Sequence, residues 1–181
     1  GIEHASNLRG GQDNTQAAYQ ANNPAAGRNW SLWRVNLEAA QDLGSGWTLS
    51  GRLRLQYSGK SLIAGEQFGI GGVRSIRGFE ERELSGDRGW SASLEMSSPV
   101  FWEGLRWFTF FDAGGIRINQ PQVGQFSRET ASSLGTGLNW QLGKRIQMSL
   151  DVSRIIEPMQ NSTIHYGRGW GKGNFALSAS F

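Results

Sequence analysis

The stretch Trp47-Thr48-Leu49-Ser50-Gly51-Arg52-Leu53-Arg54-Leu55-Gln56-Tyr57 alternates without a break. Trp47, Leu49, Leu53, Leu55 and Tyr57 occupy odd positions with Gly51, and Thr48, Ser50, Arg52, Arg54 and Gln56 occupy the even ones. A period of two puts successive side chains on opposite faces of a β-strand. The segment therefore predicts a strand with one apolar and one polar face.

The same period recurs on both sides of it. Upstream, Trp33, Val35, Leu37 and Ala39 alternate with Arg34, Asn36, Glu38 and Ala40, and Leu43-Gly44-Ser45-Gly46 makes a short turn. Downstream, Trp90, Ala92, Leu94 and Met96 alternate with Ser91, Ser93, Glu95 and Ser97. The next run sets Leu105, Trp107, Thr109, Phe111 and Ala113 against Arg106, Phe108, Phe110, Asp112 and Gly114. Two more follow, Leu134 to Leu142 and Ile146 to Val152, joined by a tight turn at Gly143-Lys144. The last run, Phe175, Leu177, Ala179 and Phe181, ends the sequence. With a short strand at residues 2–7, this gives an all-β chain of eight strands, most of them about ten residues long.

The connections also alternate. Residues 8–28, 59–88, 118–129 and 157–170 are long and polar, whereas 43–46, 99–104 and 143–145 are short. Antiparallel neighbours then have tight turns at one end and large loops at the other. Outer-membrane barrels show this asymmetry. Trp30, Trp47, Trp90, Trp140 and Trp170 fall near strand ends, where an aromatic girdle belongs.

Composition bounds the chemistry. The 181 residues hold 26 glycines, 8 tryptophans and no cysteine, so disulfides and thiolate metal sites are excluded. A net charge of +3 is too slight to argue for nucleic acid. No run approaches the roughly 20 apolar residues of a membrane helix, and no signal peptide opens the sequence. Mean hydropathy is negative, which a membrane barrel tolerates because only alternate strand residues face lipid. Two architectures fit the alternation. A soluble sandwich or lipocalin-like barrel would bury the apolar face. A membrane barrel would turn that face to lipid and keep Arg34, Glu38, Arg52, Arg54, Glu95, Asp112 and Asp151 inside. Loop asymmetry, girdle and terminal Phe181 favour the membrane barrel.

Little here suggests an enzyme. His4 and His165 have no metal-ligand spacing around them. Asp42, Glu66, Glu83 and Asp87 lie in or beside turns and loops, where solvated carboxylates are expected. No nucleophile elbow and no phosphate-binding loop occurs. The exception to this blandness is the loop at residues 59–88, which is long for a connection without secondary structure.

That loop carries Gly71-Gly72, then Ser75-Ile76-Arg77-Gly78-Phe79, then Gly86-Asp87-Arg88-Gly89. It resembles the long loop of the two-partner-secretion outer-membrane transporters, the haemolysin-activator and haemagglutinin-exporter proteins. Their loop signature is Val-Arg-Gly-Phe/Tyr after a glycine pair, and Ile76 stands here in place of the valine. A second signature, Phe-x-Asp-x-Gly, is matched by Phe110-Phe111-Asp112-Ala113-Gly114. Glu95 looks like the family's inward glutamate. Phe175, Leu177 and Phe181 resemble the terminal strand read by the barrel-assembly machinery. The likeness is sharpest over residues 60–115.

The resemblance implies the C-terminal half of a sixteen-stranded barrel, with the loop folded into the lumen and Arg77 paired with Asp112. Gly78 would allow a tight bend, and Gly114 would leave room for the loop at the wall. A wet lumen would screen the pair, leaving its net worth on the order of 1 kcal/mol. The resemblance further implies two periplasmic POTRA domains, which these 181 residues do not contain. It implies a secreted exoprotein as partner, a haemolysin, an adhesin or a contact-dependent toxin. Surrounding lipid would be the other partner, and no cofactor is implied. Rival readings are a barrel-assembly insertase, a complete small eight-stranded barrel and a passive porin.

Overall fold

A computed structural model describes residues 1–7, 14–143 and 145–180. The elements in chain order are β1 (Ile2–Ser6), α1 (Gln16–Asn22), β2 (Ser31–Gly44), β3 (Trp47–Ser58), β4 (Phe68–Ile70), β5 (Leu84–Gly86), β6 (Arg88–Ser97), β7 (Leu105–Arg117), β8 (Arg128–Leu142), β9 (Ile146–Glu157) and β10 (Gly171–Ala179). Eight strands form one antiparallel sheet in the order β1-β2-β3-β6-β7-β8-β9-β10. Every neighbour in it is also a neighbour in sequence once β4 and β5 are set aside. These two pair only with each other.

The eight wall strands stand where the alternation places them, and most are longer than expected; β8 runs 15 residues. Three elements depart from the expected pattern, all of them inside long loops. The loop between β3 and β6 holds the β4–β5 pair, three residues on each side. Such runs are too short to show a period. The first long loop holds α1, capped by Thr15, whose side chain accepts from the Ala18 amide at 3.2 Å. Its Gln- and Ala-rich sequence favours helix, but no face of it is buried. The tight turn between β2 and β3 has positive φ at both Ser45 and Gly46, the twist that suits a two-residue hairpin.

The two faces of the sheet are inverted relative to a soluble protein. Trp33, Leu37, Leu94, Phe111, Leu134, Leu150, Val152 and Phe175 stand exposed on one side, at 46% or more of their surface. No second layer covers them. On the other side Gln56, Ser91, Asp112, Ser133, Asp151 and Ser153 are buried. What buries them is the chain's own loop. Phe68, Ile70, Ile76 and Phe79 from that loop pack with Ile116, Ala131, Ile155 and Met159 into a single apolar cluster against the inward face. A sandwich or lipocalin-like barrel would need the opposite arrangement.

Aromatic rings sit near both ends of the sheet. At the short-turn end Trp47 meets Trp107 edge-on at 6.4 Å, and Trp102 stacks on Trp140 at 5.7 Å. At the long-loop end Tyr57 and Trp90 face outward, half or more exposed for Tyr57. Rings at both ends of the strands are where the two aromatic girdles of a membrane barrel belong. Over these residues the sheet does not close on itself.

Candidate functional site

The floor of the site is a four-residue patch on β6 and β7. Ser93 lies directly opposite Asp112, and Glu95 directly opposite Phe110. Alternation sends all four side chains to the inward face. Arg77 descends onto this patch from the loop. Its Nε donates to Asp112 Oδ2 at 2.7 Å and its Nη2 to Asp112 Oδ1 at 2.9 Å. Nη1 donates to Glu95 Oε2 at 2.9 Å, and Nη2 also reaches Ser93 Oγ at 3.2 Å. The Arg77 backbone amide adds a bond to Asp112 Oδ2 at 3.1 Å. The guanidinium lies flat on Phe110, with Cζ 3.3 Å from the ring centroid.

A planar fork matches a carboxylate in two parallel bonds, and its face stacks on an aromatic ring. Lysine offers neither. Burial works against the Arg77 charge, but the hydrogen bond and charge of Asp112, and then those of Glu95, outweigh it, so the guanidinium is held above its ordinary value. The screened pair expected for a wet lumen is not what the structure contains: Asp112 is 1% exposed and Arg77 9%. The phenyl ring beneath and the loop above keep water from Asp112, while Glu95 stays a quarter exposed. Removing one partner of such a pair strands a buried charge, at a cost of about 3–5 kcal/mol.

The glycines of the site are explained by contact. Gly78 has φ +103°, and a Cβ there would lie 3.2 Å from Ser153 Oγ on β9. A Cβ on Gly114 would meet Ile76 Cδ1 at 3.0 Å and the Trp90 carbonyl at 2.8 Å. Gly71 and Gly72 lie where the descending and returning limbs of the loop touch. Side chains there would strike the Glu80 carbonyl at 2.3 Å and the Glu81 carboxyl at 2.1 Å. Ile76 and Phe79, the flanks of Arg77, are fully buried.

Several contributors carry no motif. Gly135 and Gly137 of β8 lie opposite Phe110 and Phe108, and each ring occupies the place of the missing Cβ. The two rings lie 6.2 Å apart with their planes inclined by 29°. Two phenylalanines on an otherwise polar strand face, opposite two glycines, were the available signal. Asp87 corrects an expectation, since it is fully buried rather than solvated. It accepts from the backbone amides of Leu62 at 2.8 Å and Asn119 at 2.7 Å, tying the base of the loop to the next one. Glu83 accepts from Tyr166 at 2.6 Å and from the Ser162 hydroxyl. Burial, and then that bond to Glu83, push the Tyr166 phenol well above its usual value.

Beside the Arg77 guanidinium a cavity of about 560 Å³ opens, lined among others by Arg77 itself, Glu38, Arg52, Arg74, Ser93 and Glu95. Phe175 and Leu177 point outward from β10, far more exposed than buried. Phe181 lies outside the described residues.

An inverted antiparallel sheet with a loop seated on its polar face defines a stretch of transmembrane β-barrel wall. Known proteins give that wall a family. The profile of the haemolysin secretion/activation protein ShlB/FhaC/HecB family matches residues 2–140, and the chain belongs to that family. The outer membrane transporter CdiB of Dickeya dadantii (strain 3937) is 30% identical over 159 residues, 76% of this chain and 27% of that protein. The solved structure of CdiB from Acinetobacter baumannii superposes with a TM-score of 0.65 at 24% identity, covering 84% of this chain and 28% of that one. The family is one of outer-membrane transporters of Gram-negative bacteria, which places this wall in the outer membrane. The chain spans just over a quarter of the length of these relatives.

Proposed function

We propose that the protein containing this wall exports a large partner exoprotein across the outer membrane by two-partner secretion, with residues 59–87 as the internal plug of its pore. In this reading the open edges of β1 and β10 continue into further strands, giving a sixteen-stranded barrel. POTRA domains on the periplasmic side would receive the unfolded partner, which passes as an extended chain. Lipid surrounds the apolar face, and Phe175 and Leu177, with Phe181, address the barrel-assembly machinery during biogenesis.

The observation that carries the reading is the buried contact of Arg77 with Asp112 and Glu95. A passive porin needs no arginine fastened at five points to its wall. A plug that must be held during rest and released during transport does. In the full-length transporter, Arg77→Ala and Asp112→Asn are expected to leave surface assembly intact and to reduce secretion of the partner. Unchanged secretion, in a variant whose loop is shown by cysteine cross-linking to have left the wall, would sink the assignment.

A further inference from the structure

On the outward face, at the long-loop end, three arginines stand side by side. Arg88 opens β6, Arg117 closes β7 and Arg128 opens β8. Arg88 is directly opposite Arg117, and Arg117 directly opposite Arg128. Paired strands are about 4.8 Å apart, so the row spans roughly 10 Å. Like charges placed opposite one another destabilise a sheet. Among the described residues no carboxylate forms an ion pair with any of the three. The acids around the row are engaged elsewhere: Asp87, next to Arg88, is buried and accepts from the Leu62 and Asn119 amides. Glu129 turns inward and accepts from Asn161, and Glu157 accepts from the Thr130 hydroxyl. Arg88 is steadied by Asn119 at 2.6 Å and by the Tyr57 ring at 5.2 Å. Arg117 and Arg128 are exposed.

Directly beneath the row lies an open groove of about 530 Å³, walled by Leu55, Tyr57, Trp90 and Thr130. Gly115 forms its floor, where a Cβ would crowd the Trp90 indole at 3.1 Å. Cations above an apolar groove, at the level of the aromatic girdle, match a molecule with an anionic head and hydrocarbon chains. A row of roughly 10 Å is longer than one phosphate.

We propose that Arg88, Arg117 and Arg128 bind the headgroup of an outer-leaflet lipid bearing more than one phosphate, with an acyl chain laid along the Gly115 groove. Guanidinium forks take phosphate oxygens in paired, charge-assisted bonds, and an arginine cluster at a membrane surface selects anionic headgroups. The inference rests on the membrane orientation of this wall. It is independent of export.

The test uses the full-length transporter in phosphatidylcholine nanodiscs, with retained lipid counted by native mass spectrometry. Bisphosphorylated lipid A is the probe, and monophosphorylated lipid A, phosphatidylglycerol and inorganic phosphate are the comparisons. The wild type is expected to retain bisphosphorylated lipid A best, and Arg117→Gln/Arg128→Gln to lose about tenfold or more of that retention. A double lysine variant should lose less, because charge remains while the fork does not. Heat-modifiable gel mobility shows that each variant is folded. Equal retention by the double glutamine variant, equal retention of phosphatidylglycerol, or displacement by inorganic phosphate would each overturn the proposal. Secretion measured on the same variants keeps the two readings apart: Asp112→Asn should lose secretion and keep the lipid.

Discussion

Phe110 and Gly135 face each other across β7 and β8, and the phenyl ring occupies the space that a side chain at 135 would fill. The ring in turn is the surface on which Arg77 rests. Glycine on β8 therefore sets the height of a guanidinium held by β6 and β7. Alanine at 135 would put its Cβ 2.2 Å from Phe110 Cζ and 2.4 Å from the Val152 carbonyl. Gly135→Ala is expected to lower stability by about 1–3 kcal/mol, as overpacking does. Urea unfolding read by tryptophan fluorescence measures it. In a Phe110→Ala background the same substitution should cost less, and the remainder reports the carbonyl contact.

Arg77→Ala should loosen the loop far more than the wall. Stranding Asp112 costs about 3–5 kcal/mol, and the loop can avoid that cost by lifting away so that water reaches the carboxylate. Limited proteolysis of detergent-purified protein should cut within residues 59–87 while the strands resist. Arg77→Lys keeps the charge but loses the fork and the stacking, so cleavage should be intermediate.

Asp87 anchors the loop by a different route. Its carboxylate closes the Leu62 and Asn119 amides, both far from it in sequence. Asp87→Ala leaves those donors without their partner, worth about 1–3 kcal/mol. Hydrogen exchange at Leu62 and Asn119 should accelerate by about tenfold or more. The β7–β8 ladder should be unaffected.

The Tyr166 phenol gives a pH prediction. Its value is raised in the folded protein by burial and by its bond to Glu83, so folding favours the neutral form. The stabilisation is complete below the ordinary tyrosine value of about 10 and is lost as pH rises beyond it towards the raised value. The difference in tyrosinate absorbance between wild type and Tyr166→Phe should show no transition near that ordinary value. A transition there would mean that Glu83 does not hold the hydroxyl.

The wall was legible because its physics is periodic. One apolar and one polar face per strand leaves a mark every second residue, and lipid and lumen impose the same mark on all eight strands. Arg77, Asp112 and Glu95 were legible through motif likeness, and parity alone put Asp112 on the inward face. Burial was not. Whether a lumen carboxylate is wet depends on what lies over it, and the cover here comes from residues 35 positions away. Asp87 shows the same limit, because its two shortest bonds come from backbone amides, which no side-chain pattern reveals. The β4–β5 pair escaped because three residues cannot display a period.

The apolar cluster formed by Phe68, Ile70, Ile76 and Phe79 on the inner wall has a thermal consequence. Lipid gives the outer face no hydrophobic drive towards its neighbours, so the burial of apolar surface from water is concentrated where the plug sits. Such burial carries a large heat-capacity change and weakens on cooling. The plug and the wall therefore have different temperature curves. Cold should loosen the seating of the loop while leaving the sheet's hydrogen-bonded ladder in place, making temperature a lever on that contact alone.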